Sequence, residues 1–158
     1  MSLFWEDQTV GRIRELGAHP FTREEILSFA RRFDPQPFHV DEEAAKASIF
    51  GGLVASGLHT GGVFMRKLVA YIMAETAAGR ARGETPPKLG VSPGFRDMRW
   101  PVPVRPGDVV TYRSEVVGSR ETKRPGWGLT TIENRGLNQR GETAVIFVSS
   151  AFFARRDG

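Results

Sequence analysis

The sequence has no cysteine, which excludes disulfide bonds, thiolate metal sites and a cysteine nucleophile. It also has no uninterrupted apolar run of the roughly 18 residues that a membrane-spanning helix needs. The first residues show no basic segment followed by an apolar one, which is the pattern of a secretory signal peptide. We therefore expect a cytoplasmic protein that does not enter a membrane.

Basic runs are short as well, although the formal net charge is +4 and the isoelectric point is about 10.0. No more than two Lys or Arg residues are adjacent, so the charge indicates a solvated surface or a polyphosphate-bearing small ligand rather than nucleic acid. A chain of 158 residues with 40% hydrophobic and 25% charged residues is typical of one globular domain, here residues 1–158.

The first part of the chain carries the signals of a strand followed by a helix. Residues 9–18 are expected to form a strand that ends at Gly17, and His19 is expected in a surface loop. Thr22 can cap the helix, and Glu25, three residues later, completes a capping box. The apolar residues of the helix recur at helical spacing and are predicted to share one buried face: Ile26, Phe29, Ala30 and Phe33.

The end of this helix is set by proline. The residue before Pro35 is disfavoured in helical geometry, so the helix should end at Asp34. Pro35 and Pro37 then stiffen the loop that leads to His39. A short helix capped by Asp41 should follow directly.

A long helix of about twenty residues is predicted from Ser56. It is apolar on nearly all faces until Glu75, which is typical of a helix buried by its surroundings. After it, a period-two alternation predicts four antiparallel strands in a meander. These strands are expected within residues 91–100, 110–116, 129–137 and 143–156. The fold class is therefore α+β, an antiparallel sheet of about five strands wrapped around one long central helix.

Asp34 and His39 are the first candidates for chemistry. An imidazole with a pKa of about 6.5 suits proton transfer at neutral pH, and a carboxylate can accept a proton or orient a water molecule. Together they could hold one water and supply both an acid and a base. On spacing alone, the alternative stays open that Asp34 merely ends a helix and His39 packs the loop.

Gly57 lies at the predicted start of the long helix, after the possible cap Ser56. Free backbone N–H groups at a helix N-terminus favour negative charge, because the helix dipole points its positive end there. Such donors form an oxyanion hole in thioester or enolate chemistry. The alternative is a glycine that only allows a tight entry into the helix.

The stretch FDPQPFHVDEEAAKASIFGGLVASGLHT, residues 33–60, resembles the MaoC-like dehydratases, which include the R-specific enoyl-CoA hydratases. The signature of that family has the form G-D-x-N-P-L-H, then A…F-G, then I-A-H-G before the central helix. The matching residues are Asp34, Pro37, His39, Ala45, Phe50, Gly51 and Val54 to Gly57. The order of the predicted elements is also similar to the hot-dog fold of the family over nearly the whole chain.

This resemblance implies that Asp34 and His39 are the catalytic pair and that the N–H of Gly57 is the oxyanion donor. The implied reaction is reversible addition of water to a trans-2-enoyl-CoA, giving an (R)-3-hydroxyacyl-CoA. No metal or separate cofactor is implied, because coenzyme A is part of the substrate, and a homodimer with the site near the subunit interface is expected. The candidate substrate-binding residues are Gln36, Pro37, Phe38, Ser56 and His59. For His59, packing or capping is the alternative.

Three residues depart from the family signature. Gln36 stands where the family usually has Asn, Phe33 replaces a Gly, and Ser56 replaces the His of the A-H-G step. Two other functions therefore stay open on the same fold, an acyl-CoA thioesterase and a non-catalytic acyl-CoA-binding module. A thioesterase usually needs a carboxylate on the central helix, and none occurs between Gly57 and Met73.

Several residues could contact coenzyme A, although surface charge or core packing is the alternative for each. Arginine suits phosphate groups, and an indole ring can stack on adenine. These candidates are Arg96, Arg99 and Arg105 for the phosphates and Trp100 and Trp127 for the adenine.

Overall fold

The computed structural model describes residues 3–88 and 90–156. Its helical elements are a short 3-10 helix, Trp5–Asp7, and the helices α1 (Arg23–Phe33), α2 (Pro37–Val40), α3 (Glu42–Ala47) and α4 (Gly57–Ala81). Its strands are β1 (Ile13–Pro20), β2 (Gly94–Arg99), β3 (Val109–Glu121), β4 (Trp127–Leu137) and β5 (Thr143–Ala154).

The five strands form one sheet in the order β1-β3-β4-β5-β2, and all neighbours are antiparallel. The predicted five-stranded antiparallel sheet with one long helix is therefore confirmed. The prediction of a four-strand meander is wrong, because β2 pairs with β5 at the far edge and β1 lies beside β3. Period-two alternation tells which face a residue occupies, but it does not tell which strand is its neighbour.

Strand β1 does not end at Gly17 as predicted. Gly17 has a φ of +87° and lies at a register shift against β3, so it forms a bulge and the strand continues to Pro20. The continuation places His19 within the strand, where it is buried. Its Nε2 lies 2.8 Å from Glu25 Oε2 and its Nδ1 lies 3.0 Å from Arg66 Nη2. The expectation of a surface loop for His19 is wrong for this reason.

Helix α1 begins and ends as its sequence predicts. The backbone N–H of Glu25 donates to Thr22 Oγ1 at 3.2 Å, and Asp34 is the C-cap residue. Ile26 and Ala30 are fully buried, but Phe33 is 61% exposed. The predicted face is therefore wrong at its last position, because the final turn of the helix extends beyond the core.

Helix α4 spans 25 residues and packs on the sheet through one face only. Phe64 contacts Phe147 of β5 at 4.9 Å between ring centroids, and Tyr112 Oη donates to the carbonyl of Thr60 at 3.1 Å. Apolar side chains on the opposite face are exposed, namely Leu58, Met65, Val69 and Met73. The sheet and the short helices of this chain thus leave part of the apolar helix uncovered. Within the described residues, no helix combines the length and apolar character needed to cross a bilayer.

Candidate active site

A cavity of about 380 Å³ lies at the N-terminal end of α4. Four polar residues expected from the sequence line it together, Asp34, Gln36, His39 and Ser56, and Gly57 lies beside them. The apolar part of the wall is formed by Phe38, Phe50, Val54, Leu58, Trp100, Val102 and Val104. The cavity therefore combines titratable groups with an apolar surface, which is the usual composition of a small-molecule site.

Asp34 stands at the end of α1, where Pro35 stops the helix and turns the carboxylate toward α4. Its Oδ2 accepts a hydrogen bond from Ser56 Oγ at 2.7 Å, and its Oδ1 accepts one from Gln36 Nε2 at 2.9 Å. Partial burial alone would raise the pKa of Asp34, but these two donors and the nearby His39 outweigh it and hold the pKa below its ordinary value. Gln36 thus reaches the carboxylate despite its longer side chain.

His39 is held in α2 with one ring nitrogen fixed by the backbone. Its Nδ1 lies 2.7 Å from the carbonyl of Val54, so Nδ1 carries the hydrogen and donates. In the neutral ring, Nε2 is then free to accept a proton. This atom lies 3.4 Å from Asp34 Oδ2, and the side chain is only 8% exposed. The structure therefore brings the two residues together as their spacing and the family resemblance predict.

Ser56 links the start of α4 to the carboxylate. Its Oγ accepts from the N–H of Leu58 at 3.2 Å, which confirms the predicted cap, and it donates to Asp34. The residue is buried, so its hydroxyl serves both groups away from bulk water. The sequence indicated a cap or a pocket wall, but it did not indicate this second bond.

Gly57 is the first residue of α4 and lines the cavity. Among the hydrogen bonds of the described residues, none has the N–H of Gly57 as its donor. A first-turn N–H has no partner within its own helix, and the dipole of the helix favours negative charge near it. Gly57 can therefore offer a donor to a group that enters the cavity.

The indole of Trp100, which lies in the segment after β2, packs against Gly57. Its Nε1 donates to the carbonyl of Gly57 at 3.0 Å. A Cβ added at Gly57 would lie less than 3.0 Å from three atoms of the indole. The close approach of this ring, and not a special backbone angle, is what requires glycine at this position.

Two of the predicted substrate-binding residues do not line the cavity. Pro37 starts α2 but is absent from the lining, and so is His59. The ring of His59 stacks on Phe29, with centroids 4.5 Å apart, and its Nε2 lies 3.8 Å from Glu25 Oε1. Burial lowers the pKa of His59 below its ordinary value. The packing alternative for His59 is thus the one that the structure favours.

The residues considered for coenzyme A lie at different places. Trp100 lines the cavity itself, and Arg105 contacts the cavity wall, because its Nη2 donates to the carbonyl of Phe50 at 2.6 Å. Arg96 pairs with its neighbour Asp97 at the exposed edge strand. No Lys or Arg within residues 3–88 and 90–156 belongs to the cavity lining. In the same ranges, no three His, Asp or Glu side chains are grouped so that they could hold a metal ion.

The sequence did not indicate that residues 100–104 form part of the cavity wall. Residues 100–104, with the sequence WPVPV, line the cavity after β2, and Ala55 N donates to the carbonyl of Val104 at 2.8 Å. Alternating prolines favour an extended segment that is neither helix nor strand. This pattern is the one feature of the sequence that could have indicated an irregular segment at residues 100–104.

Comparisons with known proteins agree with the fold of this chain. A family model described as MaoC like domain matches residues 7–135. The structure of a MaoC-like dehydratase from Rhodospirillum rubrum has a TM-score of 0.82 at 36% identity, covering 98% of this chain and 99% of that chain. An R-hydratase from Pseudomonas aeruginosa shares the fold, with a TM-score of 0.67 at 20% identity over 98% of this chain and 88% of that chain. The arrangement of sheet and long helix is thus the hot-dog fold.

One characterised relative matches only part of its length. The mesaconyl-CoA hydratase of Cereibacter sphaeroides is 33% identical over 79 residues, which is 48% of this chain and 23% of that protein. The matched region thus spans less than a quarter of that relative.

Proposed function

The chain belongs to the MaoC-like family, and on that premise we propose that it is a hydro-lyase that adds water reversibly to a trans-2-enoyl-CoA. The product is an (R)-3-hydroxyacyl-CoA. The observation that carries this proposal is the meeting of three groups in one cavity: the carboxylate of Asp34, Nε2 of His39 and the N–H of Gly57. The proposal agrees with the hydratase activity that is named for the relative from Cereibacter sphaeroides.

In this mechanism, His39 takes the proton from the water and returns it to C2. Asp34 is kept ionised by its lowered pKa, so it accepts one hydrogen of a bound water and orients the water oxygen toward C3. As that oxygen bonds to C3, the neutral His39 takes the other proton at Nε2. The imidazolium, stabilised by Asp34 at 3.4 Å, then returns the proton to C2 on the same face. The net change is syn addition of H and OH across the double bond.

Gly57 supports the charge that this step creates. When the water oxygen bonds to C3, the electrons of the double bond move onto the thioester oxygen. The N–H of Gly57 at the start of α4 would donate to that oxygen, with the helix dipole adding to the attraction. Loss of one such donor typically costs about 100- to 1000-fold in rate.

The acyl group next to the reacting carbons should be apolar. Its surroundings are the aromatic and aliphatic residues of the cavity wall, among them Phe38, Val54 and Val102, and the described lining holds no cation. An enoyl chain would displace water from this wall, which is favourable for apolar surface.

A homodimer is the proposed assembly. The exposed apolar face of α4 includes Met65, Val69 and Met73, and β2 is an exposed edge strand. An uncovered apolar face and a free sheet edge are features that a second copy can cover.

The competing functions on this fold are less well supported. In a thioesterase, water would attack the thioester carbon under the direction of a carboxylate. The first carboxylate on α4 is Glu75, more than four helical turns from Gly57, and it does not line the cavity. A binding module without turnover would not need the tautomer of His39 to be fixed against Val54.

The test uses purified protein and crotonyl-CoA, with loss of the conjugated enoyl-thioester absorbance as the signal. Asp34→Asn and His39→Ala should each reduce kcat/KM by about 100-fold or more, because general acid–base catalysis contributes that much. Asp97→Asn is the matched control, since Asp97 is exposed and Asn tolerates its φ of +57°.

Two results would contradict the proposal. Release of free CoA thiol without loss of the double bond would make the protein a thioesterase. Unchanged absorbance with short, branched and longer enoyl-CoAs would leave only a binding role.

A further inference from the structure

A second cavity, of about 160 Å³, lies between α4 and the inner face of the sheet. Its walls are mostly apolar, with Phe64, Leu68 and Ile72 from the helix and Phe147 and Phe153 from β5. It shares no lining residue with the cavity at Asp34 and His39. The proposed reaction therefore does not account for it.

The polar groups on the sheet side of this cavity are satisfied by one another. Ser114 Oγ donates to Asn134 Oδ1 at 2.8 Å, and Asn134 Nδ2 donates to Ser149 Oγ at 2.9 Å. Ser92 Oγ donates to the carbonyl of Ser150 at 2.7 Å. Because these groups already form hydrogen bonds within the protein, they do not need a ligand as a partner.

Arg14 is the exception among the lining residues. It extends from β1 and is only 4% exposed, so its charge is almost wholly removed from water. Its Nη2 donates to Gln8 Oε1, and its guanidinium carbon lies 5.8 Å from the ring centroid of Phe153. Within residues 3–88 and 90–156, no carboxylate forms an ion pair with it.

A buried cation without a counter-ion is unfavourable, and proteins usually pair such groups or bind an anion. Neither an amide oxygen nor an aromatic face neutralises the charge. Burial, with a smaller effect from the nearby Arg12, lowers the pKa of Arg14 to about 10, so the group is still charged at neutral pH. The site thus has a permanent positive charge at one end of an apolar space.

We propose that this cavity binds a small carboxylate with an apolar body, the carboxylate pairing with Arg14 and the body lying against Leu68, Ile72 and Phe147. The planar guanidinium fork matches a carboxylate in a bidentate pair. The size also fits, since a cavity of about 150 Å³ in another protein holds benzene. The carboxylate can belong to a free acid or to the far end of a dicarboxylic acyl thioester.

The first experiment tests a free acid and does not depend on the hydratase proposal. Calorimetry measures benzoate binding to the wild type, to Arg14→Met and to the control Arg113→Met, which alters an arginine of β3 outside the cavity lining. Benzyl alcohol is the uncharged probe. Arg14→Met should weaken benzoate binding about 10- to 100-fold, because a hydrogen-bonded charge pair is lost, and should leave benzyl alcohol unaffected. Asp34→Asn should bind benzoate as the wild type does.

The second experiment tests an acyl carboxylate and rests on the proposed function. The two substrates are dodec-2-enoyl-CoA and the CoA thioester of dodec-2-enedioic acid, in which a carboxylate replaces the terminal methyl group. A long chain is needed because Gly57 and Leu68 are roughly 16 Å apart along α4. If the wild type prefers the dicarboxylic substrate and Arg14→Met loses that preference while retaining turnover of dodec-2-enoyl-CoA, the carboxylate comes from the acyl group. Absence of all turnover would count against the hydratase proposal, and the benzoate result would then decide the proposal for Arg14.

Stability supplies an independent check. Arg14→Met removes an unpaired buried cation, which is stabilising, but it also removes the donor to the buried Gln8 Oε1, which is destabilising. The two effects oppose each other, so ligand-free Arg14→Met should melt close to the wild-type Tm. If neither carboxylate depends on Arg14, the proposal is wrong. A large fall in the Tm of Arg14→Met, together with a change in oligomeric state, would assign the counter-ion to a second copy of the chain and also overturn it.

Discussion

Replacing Gly57 with alanine would place a methyl group in the space of the Trp100 indole. The added Cβ would lie less than 3.0 Å from three ring atoms, a separation that real Cβ atoms essentially never show. The backbone at Gly57 is not in the left-handed region, so alanine is otherwise allowed there. The contact with Trp100 is therefore the obstacle, and it can be removed separately.

The expected cost follows from three contributions. Forcing a methyl group into an occupied space costs about 1–3 kcal/mol. The displaced indole loses its 3.0 Å hydrogen bond to the Gly57 carbonyl, worth about 0.5–1.5 kcal/mol. The better helix propensity of alanine returns up to about 1 kcal/mol. Gly57→Ala should thus lower the free energy of unfolding by about 0.5–4.5 kcal/mol.

The assay is urea unfolding of the wild type, Gly57→Ala, Trp100→Ala and the double variant. Such a cycle isolates the interaction between the two positions. In the Trp100→Ala background, the added methyl group has room, so Gly57→Ala should cost no more than about 0.5 kcal/mol, a typical effect away from a packed contact. Equal costs in both backgrounds would refute the reasoning, because the clash with Trp100 would then not be the cause.

Two further predictions concern Asp34. Ser56→Ala removes a donor to its carboxylate and should raise the pKa of Asp34, which an NMR titration of the side-chain carboxyl carbon measures directly. Thr22→Ala removes the cap of α1, which costs about 1 kcal/mol of stability, and should leave the pKa of Asp34 unchanged, so a pKa shift in both variants or in neither would contradict the assignment. Because the folded-state pKa of Asp34 is lowered, its ionised form adds stability above the unfolded pKa, and this contribution is lost as the pH falls through the folded pKa. The difference in unfolding free energy between the wild type and Asp34→Asn should therefore shrink on acidification. A difference that is constant with pH would contradict the lowered pKa of Asp34.

The sequence predicted those features that depend on near neighbours. The cap at Thr22 and the helix end at Asp34 follow from residues within a turn of them, and the structure confirms both. The meeting of Asp34 and His39 is also local, because only four residues separate them along the chain and the prolines restrict that segment. Local sterics and hydrogen bonds are enough for such features.

The features that could not be predicted depend on residues far apart in the chain. Trp100 reaches Gly57 from 43 positions away, and His19 meets Arg66 from 47 positions away. Strand β2 pairs with β5 although β3 follows it in the chain. Periodicity and capping signals carry no information on which distant surfaces meet. From the sequence, the only steric reason for glycine at position 57 was therefore a tight entry into the helix, and the contact with Trp100 could not be predicted.

Two of the three departures from the family signature have one consequence in common. Gln36 and Ser56 are the residues that donate to Asp34, one to each carboxylate oxygen. Both bonds favour the charged form, so together with His39 they hold the pKa of Asp34 down in spite of its partial burial. A carboxylate stabilised in this way is a weak base, whereas His39 keeps Nε2 free because Nδ1 is bound to Val54. The two bonds therefore support the proposed mechanism, in which Asp34 orients the water and His39 transfers the proton.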